Sequence, residues 1–260
     1  MPAALQASDV TMQFGGLTAV SQLNLTVDER SIFGIIGPNG AGKTTVFNML
    51  TGVYKPTAGR ITALGHDLRG KRPFEVAAIG MTRTFQNIRL FKDLTVLQNL
   101  KIALDNSALA PKTGVVANVF RLPSFLRNED AKVEKALSLL ELVGLKERHD
   151  YAARNLPYGD QRRLEIARAL ATGAKILLLD EPAAGMTSLE TEQLMSTIRT
   201  IRDSFGVTII LIEHDMQLVM ELCERIAVLD YGKKICEGPP AEVQCDPKVL
   251  EAYLGCKKEG

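Results

Sequence analysis

Residues Gly37, Pro38, Asn39, Gly40, Ala41, Gly42, Lys43 and Thr44 follow the pattern G-x-x-x-x-G-K-[ST] in full, and nothing else in the chain restricts its fold so tightly. Closely spaced glycines let the backbone curl until successive N–H groups point at phosphate oxygens. Such a loop works only where a buried strand hands over to the N-terminus of a helix, whose dipole also favours an anion. The flanks comply. An apolar run, 31–36, enters Gly37, and residues 46–50 fit a helix that begins near Lys43 and takes in Thr45. In this setting the Lys43 ammonium reaches the β- and γ-phosphates of a bound nucleotide, and the Thr44 hydroxyl ligates Mg²⁺. The loop alone does not separate a kinase from a GTPase or a motor ATPase.

Two further apolar runs, 175–179 and 207–212, resemble the first, and each ends in polar residues: Asp180-Glu181 and Glu213-His214. Continuous β-branched and Leu-rich runs suit strands buried on both faces of a parallel sheet. Open α/β sheets bind ligands at the carboxyl ends of their strands, so three loaded ends point to one shared site. Residues 10–14 and 23–27 instead alternate, as half-exposed antiparallel strands do, on either side of Gly15-Gly16. The stretch 73–170 is rich in helix signals. Residues 131–143 place Val133, Leu137 and Leu140 on one stripe and stop at Gly144, as at a helix C-cap. Residues 105–127 have no clear period and read as an insertion with short helices and a mobile connection.

Composition removes several classes. Lys plus Arg number 31 against 30 Asp plus Glu, a balance that gives no basis for nucleic-acid binding through phosphate neutralisation. No apolar run approaches the roughly 18 residues needed to span a bilayer, and the start MPAALQASDV lacks a secretory pattern, so a membrane role requires a partner. Cys223, Cys236, Cys245 and Cys256 form no C-x-x-C pair and only three histidines are present, which argues for reduced thiols rather than a zinc site or disulfide framework.

The segment Leu156-Pro157-Tyr158-Gly159-Asp160-Gln161-Arg162-Arg163, leading into an Arg168-Ala169-Leu170 helix pattern, resembles the signature of ABC ATPases. With the phosphate loop, 175–181 and His214 in order, the resemblance spans essentially the whole chain. More narrowly, the sequence is similar to the branched-chain amino-acid importer ATPases, in phrases such as Arg83-Thr84-Phe85-Gln86-Asn87-Ile88-Arg89-Leu90-Phe91, Glu181-Pro182-Ala183-Ala184-Gly185 and Ile212-Glu213-His214-Asp215-Met216. The implied fold is α/β: a P-loop NTPase cassette over 5–255 with a mixed sheet core. Within it, 5–85 and 171–235 form a RecA-like core with an antiparallel β portion, 86–170 a helical lobe carrying the signature, and 236–260 a helical tail.

The resemblance also implies roles. ATP and Mg²⁺ would be bound between two cassettes facing head to tail, with the signature of one (Tyr158, Gly159, Asp160) closing over the γ-phosphate held by the other. Glu181 would act as general base for the attacking water and Asp180 would hold Mg²⁺. His214 would bond the γ-phosphate, Gln86 would contact Mg²⁺ or the water, and Phe14 would stack on adenine. Arg83, Ile88, Leu90 and Phe91 would border a groove for a permease helix. Implied partners are a second ATPase subunit, integral membrane permease subunits and, indirectly, a solute-binding protein, with the chain at the cytoplasmic face of the membrane. Pro157 and Tyr158 stand where the wider family carries Ser and Gly, and Thr187 replaces a common aspartate. Because a cassette does not touch the solute, transporters of urea or lipopolysaccharide remain alternatives, and a non-transport ABC ATPase fits less well, since the chain has one cassette, no heptads and balanced charge.

Overall fold

The protein is described by a computed structural model, in which residues 2–105 and 123–254 are placed. The chain divides into two compact units, Met1–Gln86 with Lys175–Gly260, and Asn87–Ala174. Residues 106–122, most of the expected insertion, lie outside the described residues, as does Cys256.

The first unit opens with the hairpin β1 (Ala3–Phe14) and β2 (Leu17–Asp28), in which Phe14 pairs with Leu17 across Gly15-Gly16. Both strands are more than twice as long as the alternating segments suggest. The reason is local: Asp9 and Gln22 each adopt positive φ (+49° for both), and the pairing register shifts beside them. The buried residues Leu5 and Ala7 on one side of the bulge and Val10 and Met12 on the other are therefore out of step by one. The chain continues through β3 (Ile32–Ile36), α1 (Lys43–Leu50), β4 (Ala58–Ala63), β5 (His66–Asp67), α2 (Pro73–Ala78) and β6 (Met81–Arg83).

It then enters the helical unit, built on α3 (Val96–Asp105), α4 (Pro123–Leu142) and α5 (Tyr158–Ala171). Residues 123–127, assigned to the insertion on sequence, belong to α4. This helix ends as expected at Gly144, φ +71°, where Leu145 N–H bonds to Leu140 and Gly144 N–H to Glu141. Its buried stripe is Ala136, Leu139, Leu140 and Val143, so the inward face is turned from the Val133–Leu137 line, whose side chains are half-buried.

Returning to the first unit, the chain forms β7 (Ile176–Asp180), α6 (Ser188–Phe205), β8 (Thr208–Ile212), α7 (Met216–Leu222), β9 (Arg225–Asp230), β10 (Lys233–Gly238), α8 (Pro240–Cys245) and α9 (Pro247–Leu254). The tail thus begins as a strand, and helix starts only at Pro240. One sheet is antiparallel, in the order β2-β1-β4-β5. The other runs β10-β9-β3-β8-β7-β6, parallel except for the β10 edge. All five residues of β3, β7 and β8 are buried, as unbroken apolar runs require in a sheet covered on both faces. Because β8 lies between β3 and β7, the carboxyl ends of the three strands are neighbours. Cys223, Cys236 and Cys245 are free thiols, and burial pushes the Cys223 thiol well above its ordinary value.

Candidate nucleotide site

The loop after β3 is shaped by close backbone contacts. A Cβ on Gly37 would sit 2.1 Å from the Leu229 carbonyl oxygen, and one on Gly42 would sit 2.8 Å from that of Ala19. Both positions also carry positive φ, so glycine is required twice over. Gly40 has positive φ but open space around it, a face on which a ligand can lie. Pro38 accepts the Ala41 N–H and, with Gly37, the Lys43 ammonium, whose Nζ lies 2.6 Å from the Gly37 oxygen and 2.9 Å from that of Pro38. Lys43 is buried, which lowers its pKa, while the charge of Glu181 opposes the shift. Helix α1 has Gly42 as N-cap and no side-chain cap. Its first backbone bond runs from Val46 N–H to Gly42, so the amides of Lys43, Thr44 and Thr45 precede it and are oriented for an anion. Asn39 and Thr44 are exposed, and Thr45 is half-buried.

At the end of β7 the two carboxylates diverge. Asp180 Oδ2 accepts from Arg83 Nη2 at 2.5 Å. Glu181 Oε2 accepts from Gln86 Nε2 at 2.8 Å and lies 4.0 Å from His214 Nδ1. Glu181 holds φ +44°, a conformation that costs a non-glycine residue on the order of 1 kcal/mol or more. Its own N–H, bonded to Ile212, and its carbonyl, which accepts from Ala184, keep it there. His214 is exposed. Beside it Glu213 is fully buried, with Oε1 accepting from Ala183 N–H (2.8 Å) and Oε2 from His214 N–H (3.2 Å). Burial raises its pKa, with the two backbone bonds opposing.

Phe14, at the tip of β1, is 42% exposed and meets Tyr54 edge to face at 5.3 Å between centroids. An exposed ring braced by a second one is a platform for a planar base. Thr44, Asp180 and Gln86 supply hydroxyl, carboxylate and amide oxygens, a hard donor set that suits Mg²⁺. Among the described residues no group of three or more His, Cys, Asp or Glu could hold a metal by itself.

Tyr158, Gly159 and Asp160 belong to the helical unit, as the first turn of α5 behind the N-cap Pro157. The first backbone bond of the helix joins Gln161 N–H to Pro157, so the three preceding amides are its free N-terminal donors. The Asp160 carboxylate is committed to Arg148 and Arg163, which leaves its backbone N–H for a ligand. Tyr158 is 43% exposed and its hydroxyl takes a long contact, 3.4 Å, from Arg162. Thr187, in place of the aspartate, caps α6 in a reciprocal pair with Glu190.

Sequence reasoning misplaced Arg83 and gave no role of its own to Asn48, Tyr54 or Glu213. Arg83 does not border a groove. Its guanidinium is buried between Asp180 and Asn48. Of the other groove candidates, Ile88 and Leu90 are half-buried and Phe91 is 48% exposed, with Arg168 stacked 5.6 Å from its ring.

The ABC transporter family model matches residues 20–184, and a model described as branched-chain amino acid ATP-binding cassette transporter matches 233–255. The chain belongs to the ABC transporter family, as one of its ATP-binding cassettes, and is an ATPase. It is 46% identical over 251 residues to the high-affinity branched-chain amino acid transport ATP-binding protein LivG of Salmonella typhimurium, covering 96% of this chain and 97% of that one. Among solved structures it resembles the ADP conformation of an ATP-binding cassette of an ABC transporter, with TM-score 0.83, 31% identity and coverage of 98% and 100%. It also resembles a dimeric cassette in a post-hydrolysis state bound to ADP and Pi, with TM-score 0.74, 25% identity and coverage of 91% and 98%.

Proposed function

We propose that this cassette drives import of branched-chain or similar hydrophobic amino acids. The observation that carries this reading is similarity along nearly the full length to ATPases named for that transport, together with the matching C-terminal segment. No described helix is long and apolar enough to cross a membrane, so permease subunits would provide the path, with the cassette on their cytoplasmic face. A second cassette, of this chain or a related one, would face it, and a solute-binding protein would deliver the amino acid.

Within the site, the Gly37–Thr45 backbone and Lys43 bind the phosphates, and Phe14 carries the adenine. Thr44, Asp180 and Gln86 would hold Mg²⁺, which would supply charge neutralisation at the phosphates. Glu181 accepts a proton from water as its oxygen attacks the γ-phosphorus and the bond to the bridging oxygen breaks, yielding ADP and phosphate. Gln86, bonded to Glu181 Oε2, and His214, 4.0 Å from the same oxygen, orient base and water. The first-turn amides of α5 in the facing cassette hold the γ-phosphate. Its loss on hydrolysis removes a differential affinity for the closed pair.

The test is uptake of labelled leucine, isoleucine and valine by cells lacking this chain. Uptake restored by the wild type and not by Glu181→Gln is expected. Unchanged uptake in the deletion strain would overturn the solute, and recovery of ribosomes or DNA instead of a permease on tagged purification would overturn the transporter role.

A further inference from the structure

Arg83 closes β6, and its side chain, 9% exposed, reaches two parts of the nucleotide site at once, the end of β7 and helix α1. Nη2 donates to Asp180 Oδ2 at 2.5 Å, and Nη1 donates to Asn48 Oδ1 at 2.7 Å. Asn48 lies on α1, one turn beyond Thr44. The guanidinium carbon lies 5.5 Å from the ring centroids of both Phe47 and Phe85, which shield it from water. Nε is buried and makes no hydrogen bond. Gln86 follows three residues later, at the point where the chain passes into the helical unit.

Stability alone does not account for this arrangement. Desolvating both charges offsets much of their attraction, and an apolar pair of similar volume often serves the fold as well. What the arginine adds is geometry. Its planar fork takes Asn48 and Asp180 on two different nitrogens, a task a lysine cannot repeat from a single point charge. With Oδ2 engaged by Arg83, Oδ1 is the oxygen left to act toward a cation.

We propose that Arg83 is a positioning residue for Mg²⁺: it fixes Asp180 against α1, and so sets the affinity of the site for the cation. This rests on the reading of Asp180 as the Mg²⁺ carboxylate.

The experiment measures binding of a fluorescent ADP analogue to the full chain, first in EDTA and then across a Mg²⁺ titration. Arg83→Lys keeps the charge and loses the fork. We expect its half-saturating Mg²⁺ concentration to rise about 10-fold or more, in line with the loss on removing an outer-shell partner. Affinity in EDTA should match the wild type, which a general loss of structure would not allow. Asn48→Ala should shift the titration the same way by less, and it serves if Arg83→Lys fails to fold. An unchanged or lower Mg²⁺ requirement in both variants overturns the proposal. Asp180→Asn separates the two claims. If it shifts the titration and the Arg83 variant does not, positioning by Arg83 is wrong. If Asp180→Asn has no effect, the reading of Asp180 itself fails.

Discussion

The sheet unit and the helical unit both bury acidic and basic side chains, yet they use them in opposite ways. At the strand ends of the first, Glu181 engages Gln86 through one oxygen, and His214 and Thr44 stand exposed, so polar atoms are directed outward. In the second, Arg162 and Glu165 are 0% and 2% exposed and paired at 2.8 Å, Glu165 also accepts the Arg89 N–H at 3.1 Å, and Asp160 is held by two arginines. Ligands bind at the carboxyl ends of strands in open α/β sheets, and the exposed polar groups there are available to one. Charges in the body of a helix must be neutralised by neighbours, and only backbone amides of the first turn are left to act.

The largest expected effect breaks this contrast on the sheet side. Glu181→Gln should lower ATP turnover by about 10²- to 10⁴-fold, the usual contribution of a positioned general base. Nucleotide affinity and thermal unfolding should stay near wild type, because the amide keeps the shape of the side chain. Phosphate release at saturating ATP reads it directly, and turnover close to wild type would remove Glu181 from the base role.

On the helical side the same kind of deletion should strike the fold. Arg162→Ala leaves Glu165 buried without its partner, and breaking a buried pair costs about 3–5 kcal/mol. Denaturant unfolding followed by hydrogen exchange should show loss of protection across α4 and α5. Replacing both partners, Arg162→Met with Glu165→Leu, should recover part of the loss, because Glu165 no longer stands buried without Arg162, while Arg168 loses the carboxylate that supports its charge. A stable Arg162→Ala protein would show that the helical unit holds its charges as loosely as the strand ends do.

The contrast also explains what was legible in the sequence. The phosphate loop and the runs ending at Asp180 and His214 are local patterns, and each falls where the sequence predicts. Arg83 could not be read this way, because its partner is 97 residues away and its neighbours Ile88, Leu90 and Phe91 suggest a surface. Tyr158-Gly159-Asp160 was legible as a segment, but not the bonds from Arg148 and Arg163, one of them from outside the helix, that engage the Asp160 carboxylate. Strands β1 and β2 were half-read because a bulge breaks the period of two, and β9 and β10 carry no signal of comparable strength. Glu213 had a usable clue: an acid directly after a fully apolar run ends a buried strand and must find donors there.

Glu213 sharpens the comparison, being the one carboxylate of the sheet site that is as buried as Glu165. Burial raises both pKa values above that of an unfolded glutamate, near ~4.3. Between the unfolded and the raised folded value the native state binds more protons, so stability is greatest below the unfolded value and falls as pH rises through the folded one. A Glu213→Gln variant lacks this titration. The difference in melting temperature, wild type minus variant, should therefore decline as pH is raised from about 4 to 8. Melts in a buffer series check it, and a difference that grows with pH would mean Glu213 is ionised at lower pH than its burial implies.

The smallest effect concerns the aromatic platform. Phe14 is 42% exposed, so truncating it removes little from the core and should leave unfolding near wild type. Stacking on a base is worth roughly 0.5–1.5 kcal/mol, so Phe14→Ala should weaken ADP binding by about 2- to 12-fold. Tyr54 meets that ring edge on at 5.3 Å, and Tyr54→Ala should weaken binding less, by freeing Phe14 to turn. If the two act as one platform, the double variant should lose less than the sum of the single losses. Inorganic triphosphate, which has no base, serves as the comparison ligand. Its affinity should not change in any of the three variants, because the Gly37–Thr45 loop and Lys43 are untouched. Equal losses for ADP and triphosphate would place Phe14 in support of the phosphate loop and leave the base without its stacking partner.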